Sequence, residues 1–278
     1  MPTSRAKYGC MTAPQRITSR QNPRVKEAVR LRTGRGRQRQ GRILIDGARE
    51  VSRAAATGIR FVEAFVCEEL CKSAECRNAI EAIKSAGAEI LNVSPAVYAK
   101  LAFGDRDDGV IAVAQTPQRK LDDLQLPPQP LIAVLEGIEK PGNIGAILRS
   151  ADAAGVDAVI VTDARTDPYN PNTIRASLGT VFRENIVEST AVEARQWLRT
   201  RNLPIIAARP DAEILYTDID LRGGGAIVLG NEAEGLSDAW GGANVTAVRL
   251  PMHGLADSLN VSTSAAVLFY EARRQRRK

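Results

Sequence analysis

Three segments of the chain combine glycine with polar side chains at spacings that could hold a ligand. The first runs from Glu136 through Gly142, Asn143 and Arg149 to Ser150. Asn143 has the chemistry of an N-cap, and Ile144, Ile147, Leu148 and Ala151 follow the spacing of one buried helix face. Arg149 falls off that stripe, so it faces a cleft or simply solvent. The segment lacks the GxxxxGK[ST] spacing of a phosphate loop, which disfavours nucleotide hydrolysis. The second segment, LGNEAEGLS at 229–237, leaves a strand for a tight loop. Gly230 and Gly235 permit close backbone approach, as a plain turn would also require. Glu232 between them sits at a strand end, where α/β proteins place ligands. The third segment carries Leu250, Met252, Ser258, Leu259 and Asn260. Ser258 and Asn260 suit the cap of a final helix as well as a site. His253, Asp257 and Ser258 are crowded into six residues and cannot supply the relay geometry of a nucleophilic triad.

The elements that must position these residues alternate. Strands are predicted at 43–45, 61–67, 88–93 and 110–114, with helices at 47–57, 72–85 and 94–101, which makes a small α/β unit over 43–115. Residues 116–130 are polar and proline-rich and read as a linker. A second alternation fills 131–278, with strands at 131–135, 158–161, 204–207, 226–229 and 245–250. Helices are predicted near 143–154, 191–200 and 258–274. LIAVL at 131–135 is apolar throughout, as expected of a strand covered on both faces of a mostly parallel sheet.

The 278 residues are 25% charged and 44% apolar, the balance of a soluble globular protein. No apolar run reaches the ~18 residues of a membrane span, and the start lacks the core of a signal peptide. A cytoplasmic protein with no membrane partner is therefore expected. Net charge is +6, but residues 1–42 hold 12 Lys/Arg against Glu27 alone, and 271–278 hold five against Glu271. The body between carries 21 bases and 30 acids. Residues 1–42 thus read as a basic arm, suited to RNA phosphates or serving as a solvated tail. Arg30, Arg32, Arg35, Arg37 and Arg39 are its candidate RNA contacts. Cys67, Cys71 and Cys76 lack the CxxC pairs of a zinc site, so no metal is expected and the thiols are read as reduced.

Taken together, NIGAILRS at 143–150, NPNTIRASLGTVF at 170–182, LGNEAEGLS at 229–237 and LPM…SLNVSTSAA at 250–266 resemble, in order and spacing, the motifs of the SpoU/TrmH family. This family lies within the SPOUT class of RNA methyltransferases. The resemblance implies a C-terminal parallel sheet whose end is tied in a trefoil knot, unlike ordinary chain topologies. It also implies a small N-terminal α/β domain, similar to ribosomal protein L30e, that binds the substrate. It further implies a homodimer, RNA (ribosomal or transfer) as partner, and S-adenosylmethionine as cofactor. Gly230, Leu250 and Leu259, with Leu229 and Met252, match positions that hold the cofactor. Asn143, Arg149, Glu232, Ser258 and Asn260 match the active-site set, and Arg175 is the arginine of the RAS motif. His253 and Asp257 fall at variable positions.

The implied chemistry is transfer of a methyl group to a ribose 2′-hydroxyl, for which deprotonation and in-line alignment are the main tasks. Arginine keeps its proton at working pH, so Arg149 is expected to stabilise the developing alkoxide and grip the neighbouring phosphate. Glu232 and Asn260 are expected to orient Arg149, and Ser258 to position the ribose. Two other classes compete. An RNA-binding assembly factor without turnover is disfavoured by the full motif set, and a nucleotide-cofactor oxidoreductase by the lack of GxGxxG after a predicted strand.

Overall fold

A computed structural model describes residues 16–104, 106–183 and 185–276. The first unit contains α1 (Pro23–Arg30), α2 (Gly34–Gln40), β1 (Arg42–Asp46), α3 (Ala48–Ala56), β2 (Phe61–Val66), α4 (Ala74–Ser85), β3 (Glu89–Asn92), α5 (Pro95–Leu101) and β4 (Val110–Gln115). Its sheet has the order β1-β4-β2-β3, with β4 antiparallel to both neighbours and β2 parallel to β3.

From residue 16 on, the basic segment before β1 is folded. Asn22 caps α1 ahead of Pro23, and Thr33 caps α2. Val25, Ala28 and Leu31 are buried beside Leu44, Phe65, Tyr98 and Leu101. The dense arginines conceal this short apolar face in the sequence. Residues 1–15 of the expected arm lie outside the described residues. The cysteine reading is corrected too, because Cys71 and Cys76 are joined in a disulfide at a Cα separation of 5.6 Å, while Cys67 is free and buried.

The second unit comprises β5 (Leu131–Glu136), α6 (Pro141–Ala154), β6 (Ala158–Thr162), α7 (Pro171–Ala176), β7 (Ile186–Ser189), α8 (Ala191–Thr200), β8 (Ile205–Ala208), β9 (Ile214–Leu215), β10 (Gly225–Leu229), β11 (Val245–Arg249) and α9 (Val261–Gln275). Its seven strands run β7-β6-β5-β10-β8-β11-β9, and each neighbouring pair is parallel. Every residue of β5 is buried. Leu131, Ala133 and Leu135 join Ile147, Leu148 and Leu268 of α6 and α9 on one face, whereas Ile132 and Val134 join Trp197 and Leu198 of α8 on the other. Alternating side chains of one strand therefore build two cores. After β6 and β7 on one side of β5 the chain crosses to β8 on the other and later inserts β10 between β8 and β5, so the opening beside the strand ends is a topological switch point.

The units share a core, in which Ile43, Val51 and Ala54 cluster with Ile174, Val181 and Phe182. The linker also packs, with Leu124 buried and the Trp197 indole donating to Asp122 at 3.2 Å. The motif glycine Gly145 sets how closely α6 approaches α7. A Cβ there would lie 2.5 Å from Ala176 Cβ and 2.8 Å from both the Ser177 nitrogen and the Thr173 carbonyl oxygen. Backbone cannot yield as a side chain can. Gly145→Val should therefore lower stability by roughly 1–3 kcal/mol, read by urea denaturation, despite valine's better helix propensity. An unchanged midpoint would show that the contact is dispensable.

Candidate active site

The carboxyl ends of β5, β8, β10 and β11 surround a cleft of about 510 Å³. Glu136 ends the apolar run of β5 and is buried. Its carboxylate accepts from the Ser237 nitrogen at 2.8 Å and the Ser237 hydroxyl at 2.6 Å, which straps the loop after β10 to β5. Asn231, also buried, donates to the Gly137 carbonyl at 2.9 Å and accepts from the Ala233 nitrogen at 2.7 Å. Inside this strapped loop Gly230 has no room for a side chain: a Cβ would stand 2.3 Å from the Gly235 carbonyl oxygen and 2.7 Å from the Leu236 nitrogen.

Leu229, Gly230, Glu232, Leu250, Met252, Ser258, Leu259 and Asn260 all line the cleft, together with Asp257. Three motifs meet in one hydrogen-bonded chain. The Asn143 amide nitrogen donates to Glu232 Oε1, and the Asn260 amide nitrogen donates to Asn143 Oδ1 at 3.3 Å. Asn260 is also the N-cap of α9, accepting from the Ser262 nitrogen at 2.9 Å. One side chain thus caps a helix and reaches the site.

Two expectations are corrected at this point. Asn143 is not the N-cap of α6, because the helix begins at Pro141 after Lys140, proline being preorganised for a first turn. Freed from capping, Asn143 bonds across the cleft. Glu232 and Asn260 orient Asn143 and not Arg149. Arg149 is exposed on α6, is absent from the cleft lining, and has no hydrogen-bond or ion partner among the described residues. Arg175 is also away from the cleft, where it donates to the Phe103 carbonyl of the first unit at 3.3 Å. The Phe103 nitrogen in turn donates to Asp46 at 2.5 Å. Burial pushes the Asp46 carboxyl up to about 6, against the lowering effects of that hydrogen bond and of Arg106.

Sequence reasoning missed Glu136, Asn231, Ser237 and Arg165. Arg165 bridges Glu139 and Glu234, tying the loop after β5 to the loop after β10, and it holds the Glu139 carboxyl below the usual range. The available signal was an acid ending an otherwise apolar strand, followed a hundred residues later by Ser237.

The five arginines assigned to RNA are dispersed. Arg37 is withdrawn, since it is buried, donates to the Leu31 carbonyl at 2.8 Å and pairs with Asp167 of the second unit. Arg30 pairs with Glu27, and Arg32 donates to the Lys100 and Ala102 carbonyls. Arg35 and Arg39 are exposed, with no partner among the described residues. Among the described residues no group of three or more His, Cys, Asp or Glu is placed to hold a metal ion, and no helix is long and apolar enough to cross a membrane.

A covered parallel sheet with a polar-rimmed cleft at its switch point is the arrangement in which α/β proteins bind their ligands. The chain belongs to the SpoU rRNA methylase family, whose model matches residues 130–270, and residues 22–112 match the MRM3-like substrate binding domain. It is 32% identical over 276 residues to the 23S rRNA (uridine(2479)-2′-O)-methyltransferase of Streptomyces viridochromogenes, covering 95% of this chain and 93% of that one. Its fold is similar to the crystal structure of an RNA 2′-O ribose methyltransferase at 46% identity, with a TM-score of 0.82 and 94% and 99% of the two chains covered. It is also similar to the SpoU methyltransferase AviRb of S. viridochromogenes, solved with AdoMet, at 28% identity, a TM-score of 0.85 and 92% and 98% coverage.

Proposed function

We propose that the protein is an S-adenosylmethionine-dependent methyltransferase acting on a ribose 2′-hydroxyl of ribosomal RNA. The observation that carries this reading is the Glu232–Asn143–Asn260 chain, which joins three family motifs at the edge of the cleft. The cleft fits the cofactor. Gly230 lets the loop that walls the cleft close on the Gly235 backbone, which any Cβ would force away, Leu229, Leu250, Met252 and Leu259 give apolar walls, and Glu232 and Ser258 add polar groups. When bound, S-adenosylmethionine supplies a methyl group on a sulfonium centre. The protein's own residues then have three tasks. Asn143 is held by two partners in one orientation at the cleft edge, so its position costs no reorganisation during reaction. Ser258 lines the cleft and can hydrogen-bond the ribose. Arg149, exposed and without a partner among the described residues, is available to the phosphate beside the reacting hydroxyl and to its developing charge.

The active form is proposed to be a homodimer, with the C-terminal sheet knotted as the family resemblance implies. Leu255 is fully exposed and Tyr270 on α9 half exposed, which supplies apolar surface for a second copy. Calorimetry should detect S-adenosylmethionine binding that survives a chelator, and sedimentation should give a dimer. Absence of cofactor binding would contradict the function, and a fully active monomer would contradict the dimer.

A further inference from the structure

Away from the methyl-transfer cleft, a second cavity of about 510 Å³ opens where the two units meet. Its walls are the start of β1, the α3–β2 turn, the end of β4 with the first linker residues, and Tyr169 and Phe182 of the second unit. The two cavities share no lining residue. None of the described residues lining this one carries a carboxylate, whereas Arg60 and Arg119 both line it. Arg60 is exposed, and Arg119 also donates to Asn185 Oδ1 at 3.1 Å. The hydroxyl oxygen of Thr116 in the same wall is buried and has no hydrogen-bond partner among the described residues. Buried polar atoms are normally satisfied, so an orphan on a cavity wall points to a polar ligand. The exposed Arg60, the waiting Thr116 hydroxyl and the lack of a carboxylate among the described lining residues favour an anionic ligand rich in hydrogen-bonding groups, and the volume suits a small-molecule-sized unit.

One segment connects this cavity to the methyl-transfer cleft. Arg165 bridges Glu139 and Glu234 at the cleft, Asp167 is clamped by the buried Arg37, and Tyr169 lines the cavity. Four residues of chain reach at most about 14 Å. The segment 165–169 therefore runs from a bridge at the rim of the methyl-transfer cleft to the wall of the second cavity, so that one extended RNA can engage both. We propose that the cavity between the units binds a nucleotide of the substrate RNA other than the methylated one, with Arg60 on its phosphate and Thr116 hydrogen-bonded to it. This inference rests on the RNA methyltransferase reading of the first cleft.

Filter binding of unmethylated large-subunit ribosomal RNA to the full chain, at several salt concentrations, tests it. Arg60→Glu should bind about 10-fold more weakly at low salt, with the log–log salt slope flattened by roughly 0.7–0.9 per lost phosphate contact. Arg60→Lys should restore the slope, and Thr116→Val should weaken binding without altering it. Unchanged cofactor binding by calorimetry establishes that each variant is folded. Wild-type affinity and slope in Arg60→Glu would overturn the proposal. So would adenosine monophosphate that saturates the cavity without displacing RNA, because the cavity would then serve a free nucleotide. Failure of the methyltransferase reading looks different: a wild-type protein that binds RNA but transfers no methyl group, with the Arg60 comparison still readable.

Discussion

Arg149→Ala should lower the rate of methyl transfer by ~100-fold or more while leaving cofactor affinity nearly unchanged, the signature of an interaction made in the transition state. Both halves of that expectation come from position. Arg149 lies on α6 outside the cofactor cleft, so its loss removes nothing from the cleft wall. It is exposed and engaged by no described neighbour, so its removal leaves no buried partner unpaired and the fold should persist. Lysine should rescue poorly, because it lacks the planar fork that grips a phosphate and an alkoxide together. Single-turnover kinetics at saturating cofactor give the rate, and near-normal turnover in the alanine variant would remove Arg149 from the mechanism.

Gly230→Val should act in the opposite manner, through binding. Its side chain would have to displace the Gly235 carbonyl and the Leu236 nitrogen, both backbone groups held in a loop strapped by Glu136, Asn231 and Ser237. Overpacking of this kind costs roughly 1–3 kcal/mol, and where the loop yields in the free protein and must be restored on binding, at ~1.4 kcal/mol per decade the cofactor affinity should fall about 5- to 150-fold. Gly142→Ala is the matched control, since nothing lies within 4 Å of a Cβ there. Equal affinity in the two variants by calorimetry would show that the Gly230 loop does not form the cofactor wall.

The alternation of strand and helix was legible because the two-sided burial of LIAVL at 131–135 and the one-sided stripes of the helices leave distinct periodicities. Elements without such a stripe escaped. The helix Pro171–Ala176 is one and a half turns long and begins with proline, and Ile214–Leu215 is too short for any pattern. The helices before β1 escaped for a different reason: charge counting treats Arg37 and Arg35 alike, although one is buried against Asp167 and the other faces solvent. At the site, the motif glycines and Asn260 could be chosen from the sequence. The partners of Asn143 could not, because which end of an amide meets Glu232 and which meets Asn260 depends on three loops distant in the chain. Glu136 and Asn231 were invisible for a related reason, since their value lies in hydrogen bonds that exist only after the parallel strands have been brought together.

Methyl transfer is proposed to go from S-adenosylmethionine to a ribose oxygen of ribosomal RNA. The direct measurement is incubation of the purified full chain with unmodified ribosomal RNA and isotope-labelled S-adenosylmethionine, followed by complete digestion and mass spectrometry of the nucleosides. The predicted result is a labelled 2′-O-methyl nucleoside, formed at one position and lost in Arg149→Ala. Label on a base, or no label in RNA that the protein demonstrably binds, would contradict it.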